Sequence, residues 1–303
     1  MLALLAPGQG SQTPGMLASW LELPGAADRI STWSQSSGLD LARLGTTATA
    51  EEITDTAVTQ PLVVAATLLA WEELNNRGLL AGRDFIAAGH SVGEIAAYVI
   101  AGVICSDDAV ALAATRGAEM AKACAVEPTG MSAVLGGDEA EVLSRLDELD
   151  LVPANRNAAG QIVAAGSLAA LSKLAEDPPA KARVRQLATA GAFHTRYMAS
   201  ATDGYSAAAE GVATTEPTAT LLSNADGQPV ASAGDAMSKL VAQLTRPVRW
   251  DLCTETLRQS NVTAIVEFPP AGALVGIAKR EIKGVPTYAV KAPADLDGLT
   301  ELS

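Results

Sequence analysis

The chain has 303 residues, 49% of them hydrophobic and only 4% aromatic, and its formal net charge is −13 at pH 7. A chain of this length and hydrophobicity can bury a sizeable core, which excludes a disordered protein. Its acidic balance argues against nucleic acid and anionic membranes as partners, because both carry negative charge. We expect one large α/β domain, or such a domain with an insert, in a soluble, cytoplasmic protein.

The sequence carries no sign of a membrane span, a signal peptide or a metal site. No stretch approaches the roughly 18 consecutive apolar residues that a spanning helix requires. The apolar start MLALLAPGQGSQ lacks a basic region and is interrupted by Pro7-Gly8, so it predicts a strand and a turn. The three cysteines are widely spaced, and His90 and His194 are the only histidines. We therefore expect neither a metal site nor a disulfide framework.

Helical and strand patterns alternate along the chain, which favours a layered α/β architecture with a mainly parallel sheet. Leu2–Ala6 is a predicted strand, and a buried helix is expected to run from its cap at Thr59 to Arg77. A short strand at Phe85–Ala88 enters the sequence GHSVG. Further helices are predicted at Ile95–Ala101 and Asp107–Ala125.

The region 128–190 follows the order β-α-β-β-α-β, which is the ferredoxin-like signature. The six elements are predicted at Met131–Leu135, Glu139–Leu149, Val152–Asn155, Gln161–Ala165, Leu168–Glu176 and Arg183–Leu187. We therefore predict a ferredoxin-like subdomain at 128–190, inserted into a large catalytic domain made of 1–127 and 191–303. Beyond the insert we expect a helix at Tyr197–Val212 and strands at Thr220–Ser223 and Thr263–Phe268.

The segment Gly89-His90-Ser91-Val92-Gly93 stands between a predicted strand and a predicted helix, which is the context of a nucleophile elbow. Gly89 and Gly93 let the strand and the helix approach closely, and the turn holds the Ser91 hydroxyl outward. The amides at the start of the helix, including that of Val92, point at an oxyanion on an acyl carbon. A Gly-x-Ser-x-Gly match also arises by chance. The prediction of an α/β-hydrolase-like domain with Ser91 as nucleophile therefore depends on the position of the motif between a strand and a helix.

A serine nucleophile needs a base. His90 is adjacent to Ser91 and cannot easily turn back to it, which leaves His194 in the segment GAFHT. The alternative is that His194 is a structural histidine.

Five segments occur in a fixed order: GQGSQ at 8–12, GHSVGE at 89–94, ATRGAEM around Arg116, GAFHT at 191–195 and VAQLTRPVRW at 241–250. Together they strongly resemble the malonyl-CoA:acyl carrier protein transacylases of type II fatty acid synthesis, and also the acyltransferase domains of polyketide synthases. The resemblance covers essentially the whole chain, and the high alanine content resembles that of actinobacterial members of the family.

The resemblance implies transfer of a malonyl group from malonyl-CoA to the phosphopantetheine thiol of acyl carrier protein, by a ping-pong reaction through malonyl-Ser91. His194 would act first as general base and then as general acid. The backbone amides of Gln9 and Val92 would form the oxyanion hole. No cofactor is expected besides the substrates, since the phosphopantetheine belongs to the partner.

The resemblance also implies roles around the acyl group. Arg116 would bind the malonyl carboxylate with its planar guanidinium, although by spacing alone it would be a solvated surface residue. Phe193 matches the position that separates malonyl from methylmalonyl users, unless it is simply a core residue. A main-chain carbonyl near Gln243 would steady His194, which gives a Ser–His dyad. Asn155 would orient the histidine or the acyl group, unless it is a turn residue that ends a strand.

Because acyl carrier protein is itself acidic, docking requires a local basic face. Two clusters are candidates, and either could instead be a solvated face: Lys181, Arg183 and Arg185, and Lys279, Arg280 and Lys283. We expect a monomer that supplies extender units for fatty acid synthesis and also, in some settings, for polyketide synthesis. The rival interpretations are a serine hydrolase, such as an esterase or thioesterase, and an inactive scaffold protein.

Overall fold

Residues 1–301, which the computed structural model describes, contain nine strands and eleven α-helices. The strands are β1 (Leu2–Ala6), β2 (Phe85–Gly89), β3 (Thr129–Gly136), β4 (Val152–Ala158), β5 (Gln161–Ser167), β6 (Ala182–Gln186), β7 (Thr220–Leu222), β8 (Ala264–Glu267) and β9 (Thr287–Ala289). The helices are α1 (Ala26–Ser37), α2 (Leu41–Thr46), α3 (Thr56–Asn76), α4 (Gly93–Ile100), α5 (Ser106–Cys124), α6 (Glu139–Glu148), α7 (Leu168–Glu176), α8 (Thr202–Glu210), α9 (Ala233–Ala242), α10 (Trp250–Gln259) and α11 (Ala273–Glu281).

The first sheet, sheet A, has five parallel strands in the order β7-β2-β1-β8-β9. Its central strand β1 is buried along its whole length. Leu2, Leu4 and Ala6 pack into one hydrophobic cluster, while Ala3 and Leu5 pack into another on the opposite face. Burial on both faces explains why β1 is a continuous apolar run, as is typical of parallel sheets covered by helices. The prediction of an α/β fold with a mainly parallel sheet is confirmed.

The second sheet, sheet B, is antiparallel, with the order β4-β5-β3-β6. One of its faces packs against α6 and α7 through a separate apolar cluster that includes Val134, Leu146 and Leu174. Sheet B joins the rest of the molecule beside β4, where Val248 exchanges backbone hydrogen bonds with Ala154 and Arg156. The next residue, Arg249, donates its backbone N–H to the carbonyl of Asn224, just beyond β7, so this contact connects β4 to the carboxyl end of a sheet A strand.

Several predicted elements differ from the structure at their ends, and two of the differences concern how a helical segment is capped. Helix α3 begins at Thr56 and is capped by Asp55, whose carboxylate accepts the backbone N–H of Ala57. The predicted cap, Thr59, lies inside the helix and donates its hydroxyl hydrogen to the carbonyl of Ile53. The aspartate just before the helix satisfies a free amide of an earlier first turn, so the helix begins three residues before the predicted cap.

The second difference lies after the insert. The predicted helix Tyr197–Val212 is a 3₁₀ segment at Arg196–Ala201 followed by α8. Thr195 caps the 3₁₀ segment by accepting the N–H of Tyr197. Within the described part of the chain, no helix is both long and apolar enough to cross a membrane.

Candidate active site

The turn that carries Ser91 lies between β2 and α4, at the carboxyl end of sheet A. Ser91 has a φ of 55°, which is strained for a residue with a side chain and typical of functional turns. The two glycines of the motif are sterically required. A Cβ at Gly89 would lie 2.1 Å from the carbonyl carbon of Gly93, and one at Gly93 would lie 2.3 Å from the oxygen of Ala6. The strand, the turn and the helix therefore pack with no room for side chains, which holds the serine outward.

The structure brings His194 to Ser91. The Nε2 atom of His194 lies 2.7 Å from Ser91 Oγ, and its Nδ1 atom lies 2.8 Å from the backbone carbonyl oxygen of Gln243. A carbonyl oxygen only accepts, so Nδ1 carries the proton of the neutral ring and Nε2 is free to accept the Ser91 hydroxyl hydrogen. The same Gln243 that the resemblance singles out thus provides the carbonyl that orients the imidazole.

The environment of His194 keeps its imidazole neutral. The residue is 2% exposed, and burial, reinforced by the charge of Arg116, lowers its pKa to about 3. His90, the other histidine, bonds through Nε2 to Oδ1 of Asn157 at 2.9 Å and packs against the ring of Trp250. Burial lowers the pKa of His90 as well. His90 is therefore occupied elsewhere, whereas His194 is neutral at ordinary pH and in hydrogen-bonding distance of the serine.

Arg116 lies on α5, and only 1% of its surface is exposed. It donates from NH1 to Gln60 Oε1 at 2.8 Å and from NH2 to Gln243 Oε1 at 2.7 Å. A further NH2 contact reaches Ser91 Oγ at 3.5 Å, while Nε has no partner among the described residues. The salt bridges found within residues 1–301 do not include Arg116. A buried guanidinium held by two neutral amides, beside a serine hydroxyl, can receive an anionic group.

The side chain of Asn224 forms hydrogen bonds with the backbone of the turn that carries Ser91. Its Oδ1 accepts the N–H of Ser91 at 2.8 Å, and its Nδ2 donates to the carbonyl of Gly89 at 2.7 Å. The N–H of Ser91 is therefore unavailable to an oxyanion. The backbone N–H groups of Gln9 and Val92, by contrast, have no acceptor in the described chain, and Gln9 lines the same cavity as Ser91.

Beneath the turn lies a buried carboxyl group, that of Glu94, which is 1% exposed. It accepts hydrogen bonds from the backbone N–H of Asn224 and from Nε2 of Gln243. Burial raises the pKa of Glu94 to about 8, whereas these two donors and the charge of Arg116 favour the carboxylate.

The side chains around Ser91 enclose a cavity of about 90 Å³. Phe193 lies in its wall and is 6% exposed, so it is both a pocket residue and a largely buried one. Asn155 also lines the cavity, and its buried Oδ1 has no hydrogen-bond partner in residues 1–301. It lies inside β4, so it does not end a strand as a turn residue would. The remaining wall is partly apolar and includes Met120, Met131, Val163 and Leu187.

A wider outer cleft, of about 520 Å³, adjoins this cavity and shares Gln9, His90 and Asn155 with it. Its walls include one face of sheet B and helix α11, and Arg280 in the last turn of α11 donates to Gln161 Oε1 at 2.7 Å. Another cavity, of about 590 Å³, lies at the amino ends of β2 and β7 and includes neither Ser91 nor His194. Of these two larger cavities, the outer cleft is the one that adjoins the cavity at Ser91.

Both predicted basic clusters lie at the surface. Arg183 and Arg185 of β6 pair across the ladder with Leu135 and Ala133 of β3, and Ala133 lines the outer cleft. Alternation along a strand therefore puts these arginines on the cleft side of sheet B. No group of three or more His, Cys, Asp or Glu side chains in the described chain is arranged to hold a metal ion.

Three residues around the site lie outside those predicted from the sequence for specific roles: Gln60, Glu94 and Asn224. Glu94 belongs to the GHSVGE segment, so the sequence motif itself indicated that Glu94 lies near the serine. Gln60 is a polar residue in the otherwise apolar stretch of α3, and a buried polar side chain needs a partner. For Asn224, which follows β7 in a short loop, the sequence offers no comparable signal.

Comparisons with known proteins identify a family and several relatives of this chain. The model of the acyl transferase domain family matches residues 4–293. The chain is 76% identical, over 302 residues and the full length of both proteins, to the malonyl CoA-acyl carrier protein transacylase of Mycobacterium tuberculosis. A crystal structure from the same organism superposes with a TM-score of 0.98, at 76% identity, and covers 99% of each chain. A malonyl-transacylase in complex with a type II PKS acyl-carrier protein gives a TM-score of 0.93 at 30% identity, covering 100% of this chain and 99% of that one.

Proposed function

The chain belongs to the acyl transferase domain family, and we propose that it transfers malonyl from malonyl-CoA to acyl carrier protein through a malonyl-Ser91 intermediate. The observation that supports this proposal most directly is that a base and a buried cation both lie close to the hydroxyl oxygen of Ser91. Ser91 Oγ has the base His194 at 2.7 Å and the buried cation Arg116 at 3.5 Å. A base activates the nucleophile, and a cation beside it suits an acyl group that ends in a carboxylate.

The first half-reaction acylates the serine. His194 Nε2 takes the hydroxyl proton as Ser91 Oγ attacks the thioester carbon, and the carbonyl oxygen becomes an oxyanion. The N–H groups of Gln9 and Val92 donate to it. The C–S bond then breaks, and the imidazolium returns its proton to the departing coenzyme A thiolate. The imidazolium is held by the Gln243 carbonyl, so a Ser–His dyad needs no acidic third member.

The second half-reaction runs the same steps in reverse. The thiol of the carrier's phosphopantetheine gives its proton to His194, and its sulfur attacks the malonyl ester carbon. The ester C–O bond breaks, and Ser91 Oγ recovers the proton. All groups that move protons or form bonds belong to this chain and its substrates, so the proposed reaction needs no further cofactor.

The side chains around the acyl group would select it. Arg116, oriented by Gln60 and Gln243, would bind the malonyl carboxylate through two parallel N–H donors. The Phe193 ring would crowd a methyl group on the α-carbon and so disfavour methylmalonyl. The unpartnered Asn155 amide, at the junction of the cavity and the outer cleft, would bind the thioester end of the acyl group.

Acyl carrier protein would approach along the outer cleft. Two basic clusters flank this cleft, that of Arg183 and Arg185 on sheet B and that of Arg280 on α11, and they supply local positive charge for an acidic partner. The Mycobacterium relative is named for transfer to acyl carrier protein, and one structural relative is complexed with a polyketide carrier. We therefore propose carriers of fatty acid synthesis, and of polyketide synthesis where they are present, as acceptors.

The finer architecture follows the same proposal. We propose that 1–127 and 191–303 form an α/β-hydrolase-like catalytic domain and that 128–190 forms a ferredoxin-like subdomain. The strand order β4-β5-β3-β6 and the two helices on one face of sheet B support this division. Since the proposed catalytic groups all come from one chain, a monomer would suffice. We propose that it acts in the cytoplasm.

The test is an assay with radiolabelled malonyl-CoA, in the presence and absence of holo-acyl carrier protein. We expect label on the carrier, and, without carrier, a stable malonyl adduct on Ser91 that mass spectrometry detects. The Ser91→Ala variant is the control and should form neither product. Rapid release of free malonate without an acceptor would instead support a serine hydrolase, and an unmodified wild-type Ser91 would support an inactive scaffold.

A further inference from the structure

Glu94 has no step in the proposed reaction, although its carboxyl group lies directly under the catalytic turn. It is the second residue of α4 and is 1% exposed. Burial of a carboxyl group is unfavourable unless hydrogen bonds compensate for the lost water. Each of its two oxygens accepts one such bond, Oε1 from the N–H of Asn224 and Oε2 from Nε2 of Gln243. Both donors belong to residues that contact the catalytic machinery.

The contact with Gln243 helps to determine which way its side-chain amide points. A side-chain amide has a donor end and an acceptor end, and exchanging them changes its shape very little. Glu94 Oε2 accepts from the NH₂ end, as do the backbone carbonyl of Ser91 at 3.2 Å and Asn224 Oδ1 at 3.3 Å, so the oxygen end faces Arg116 and accepts NH2 at 2.7 Å. The position of the guanidinium therefore depends on an amide whose polarity is set by the carboxyl group of Glu94 together with these two oxygens.

The contact with Asn224 reaches the nucleophile. Glu94 holds the backbone of Asn224, and the side chain of Asn224 accepts the N–H of Ser91 at 2.8 Å. One buried carboxyl group thus connects to Arg116 through one amide and to Ser91 through another. The first of these connections leads to Arg116, which would bind the acyl carboxylate, and the second leads to Ser91, which would attack the acyl carbon.

We propose that Glu94 is a positioning residue that aligns Arg116 with Ser91, acting through the side chains of Gln243 and Asn224. This inference rests on the proposed function, because it assigns Arg116 to the acyl carboxylate. Glu94 itself touches neither substrate nor reacting atoms. Its effect is to keep the carboxylate-binding group and the nucleophile in one fixed spacing, as selective transfer requires.

The substitution Glu94→Gln tests the connection from Glu94 through Gln243 to Arg116, and it hardly changes the volume of the side chain. The new amide has one oxygen and one NH₂ group, yet it faces two donors. The backbone N–H of Asn224 cannot reverse, so the oxygen stays there and the NH₂ group faces Gln243. The Gln243 amide must then turn over, which loses its bond to the Ser91 carbonyl and points its NH₂ end at Arg116, or be pushed aside by the new NH₂ group. Either change removes its oxygen from Arg116. Arg116 loses an acceptor and moves, while His194 keeps the backbone carbonyl of Gln243.

The assay compares transfer of malonyl and acetyl groups from their coenzyme A thioesters to holo-acyl carrier protein. For E94Q we expect the ratio of malonyl to acetyl kcat/KM to fall by about ten-fold or more, which corresponds to about 1.4 kcal/mol. The loss should lie mainly in the KM for malonyl-CoA, because Arg116 holds the carboxylate in both the ground and transition states. A residue that only supported the fold would lower both activities together.

The matched control is Glu267→Gln, the same substitution at another buried carboxyl group. Glu267 is 0% exposed and accepts the backbone N–H groups of Gly272, Leu274 and Val275, outside the chain of contacts that leads to Arg116. We expect E267Q to lower the melting temperature without changing the ratio of malonyl to acetyl transfer.

A double-mutant cycle with Gln243→Met tests the route. Methionine keeps the volume and the backbone carbonyl but removes the acceptor for Arg116, so Q243M alone should also lower the ratio. Adding E94Q to Q243M should lower it no further. If E94Q does not fold, an unchanged ratio in Q243M alone would overturn the proposal.

The outcomes separate this proposal from the function on which it rests. A wild-type chain that transfers malonyl, together with an E94Q variant that keeps the wild-type ratio, would overturn the role of Glu94 alone. Equal losses of malonyl and acetyl transfer in E94Q would do the same. A wild-type chain that transfers no malonyl would overturn the proposed function and this inference with it.

Discussion

Replacing Arg116 with alanine tests the part of the site that would select malonyl from other acyl groups. The guanidinium is 1% exposed, and its NH1 and NH2 groups each donate to one glutamine. Its Nε has no partner among the described residues, and its only other contact is that of NH2 with Ser91 Oγ at 3.5 Å, so it can offer two parallel donors to a carboxylate. An acetyl group has no carboxylate and makes no use of them.

The expected magnitude follows from these contacts. A hydrogen bond to a charged group contributes about 1.5–3 kcal/mol, which is roughly a ten- to a hundred-fold change in a rate or binding constant. Arg116→Ala should therefore lower malonyl transfer by about that factor relative to acetyl transfer. Arg116→Lys should recover only part of the difference, because an ammonium group is a point charge that cannot replace the planar fork held by Gln60 and Gln243.

The assay is the initial rate of acylation of Ser91 from malonyl-CoA and from acetyl-CoA, measured by quenched flow with each variant. Thermal melts serve as the control, because removal of a buried side chain lowers stability for reasons unrelated to the substrate. The informative quantity is the ratio of the two rates, which cancels a general loss of active protein. Equal losses for both acyl groups would refute the assignment of Arg116 to the malonyl carboxylate.

Three further predictions concern the base, the pocket and the docking face. Burial and the charge of Arg116 lower the pKa of His194 to about 3, so kcat/KM should not fall as pH drops through the ordinary histidine pKa of about 6.5. Arg116→Ala should move the acidic limb of that pH profile upward, and a wild-type limb at an ordinary histidine pKa would contradict the argument. Phe193→Ser should raise methylmalonyl transfer relative to malonyl transfer, measured with both thioesters; an unchanged ratio would rule out the steric account. The double charge reversal Arg183→Glu and Arg185→Glu should slow transfer to carrier protein and leave acylation by malonyl-CoA intact, and equal slowing of both steps would exclude a docking role.

The elements that position the site were predictable because their signals are local. Strand β1 is a run of five apolar residues that ends at Pro7-Gly8, and it has the predicted bounds. The strand, turn and helix around Ser91 also follow the predicted order. Helix α10 lies outside the predicted elements, although Trp250, Cys253 and Leu257 repeat with helical spacing and are buried. Boundaries were less predictable, since Asp55 and Thr59 are both acceptable caps and only the packed structure shows which one is used.

The chain's own sequence determined which side chains were available for the chemistry: one serine on an elbow, and one histidine free to serve it. Only the tertiary structure decided that Ser91 and His194, 103 residues apart, meet at 2.7 Å. It also decided that Arg116, which helical spacing alone would place in solvent, is buried between Gln60 and Gln243. The physical reason is that spacing along a chain specifies which face of an element a residue occupies. What covers that face depends on how distant elements pack together. Here three distant parts of the chain pack around Ser91: Gln60 of α3, Asn224 beyond β7 and Gln243 beyond α9.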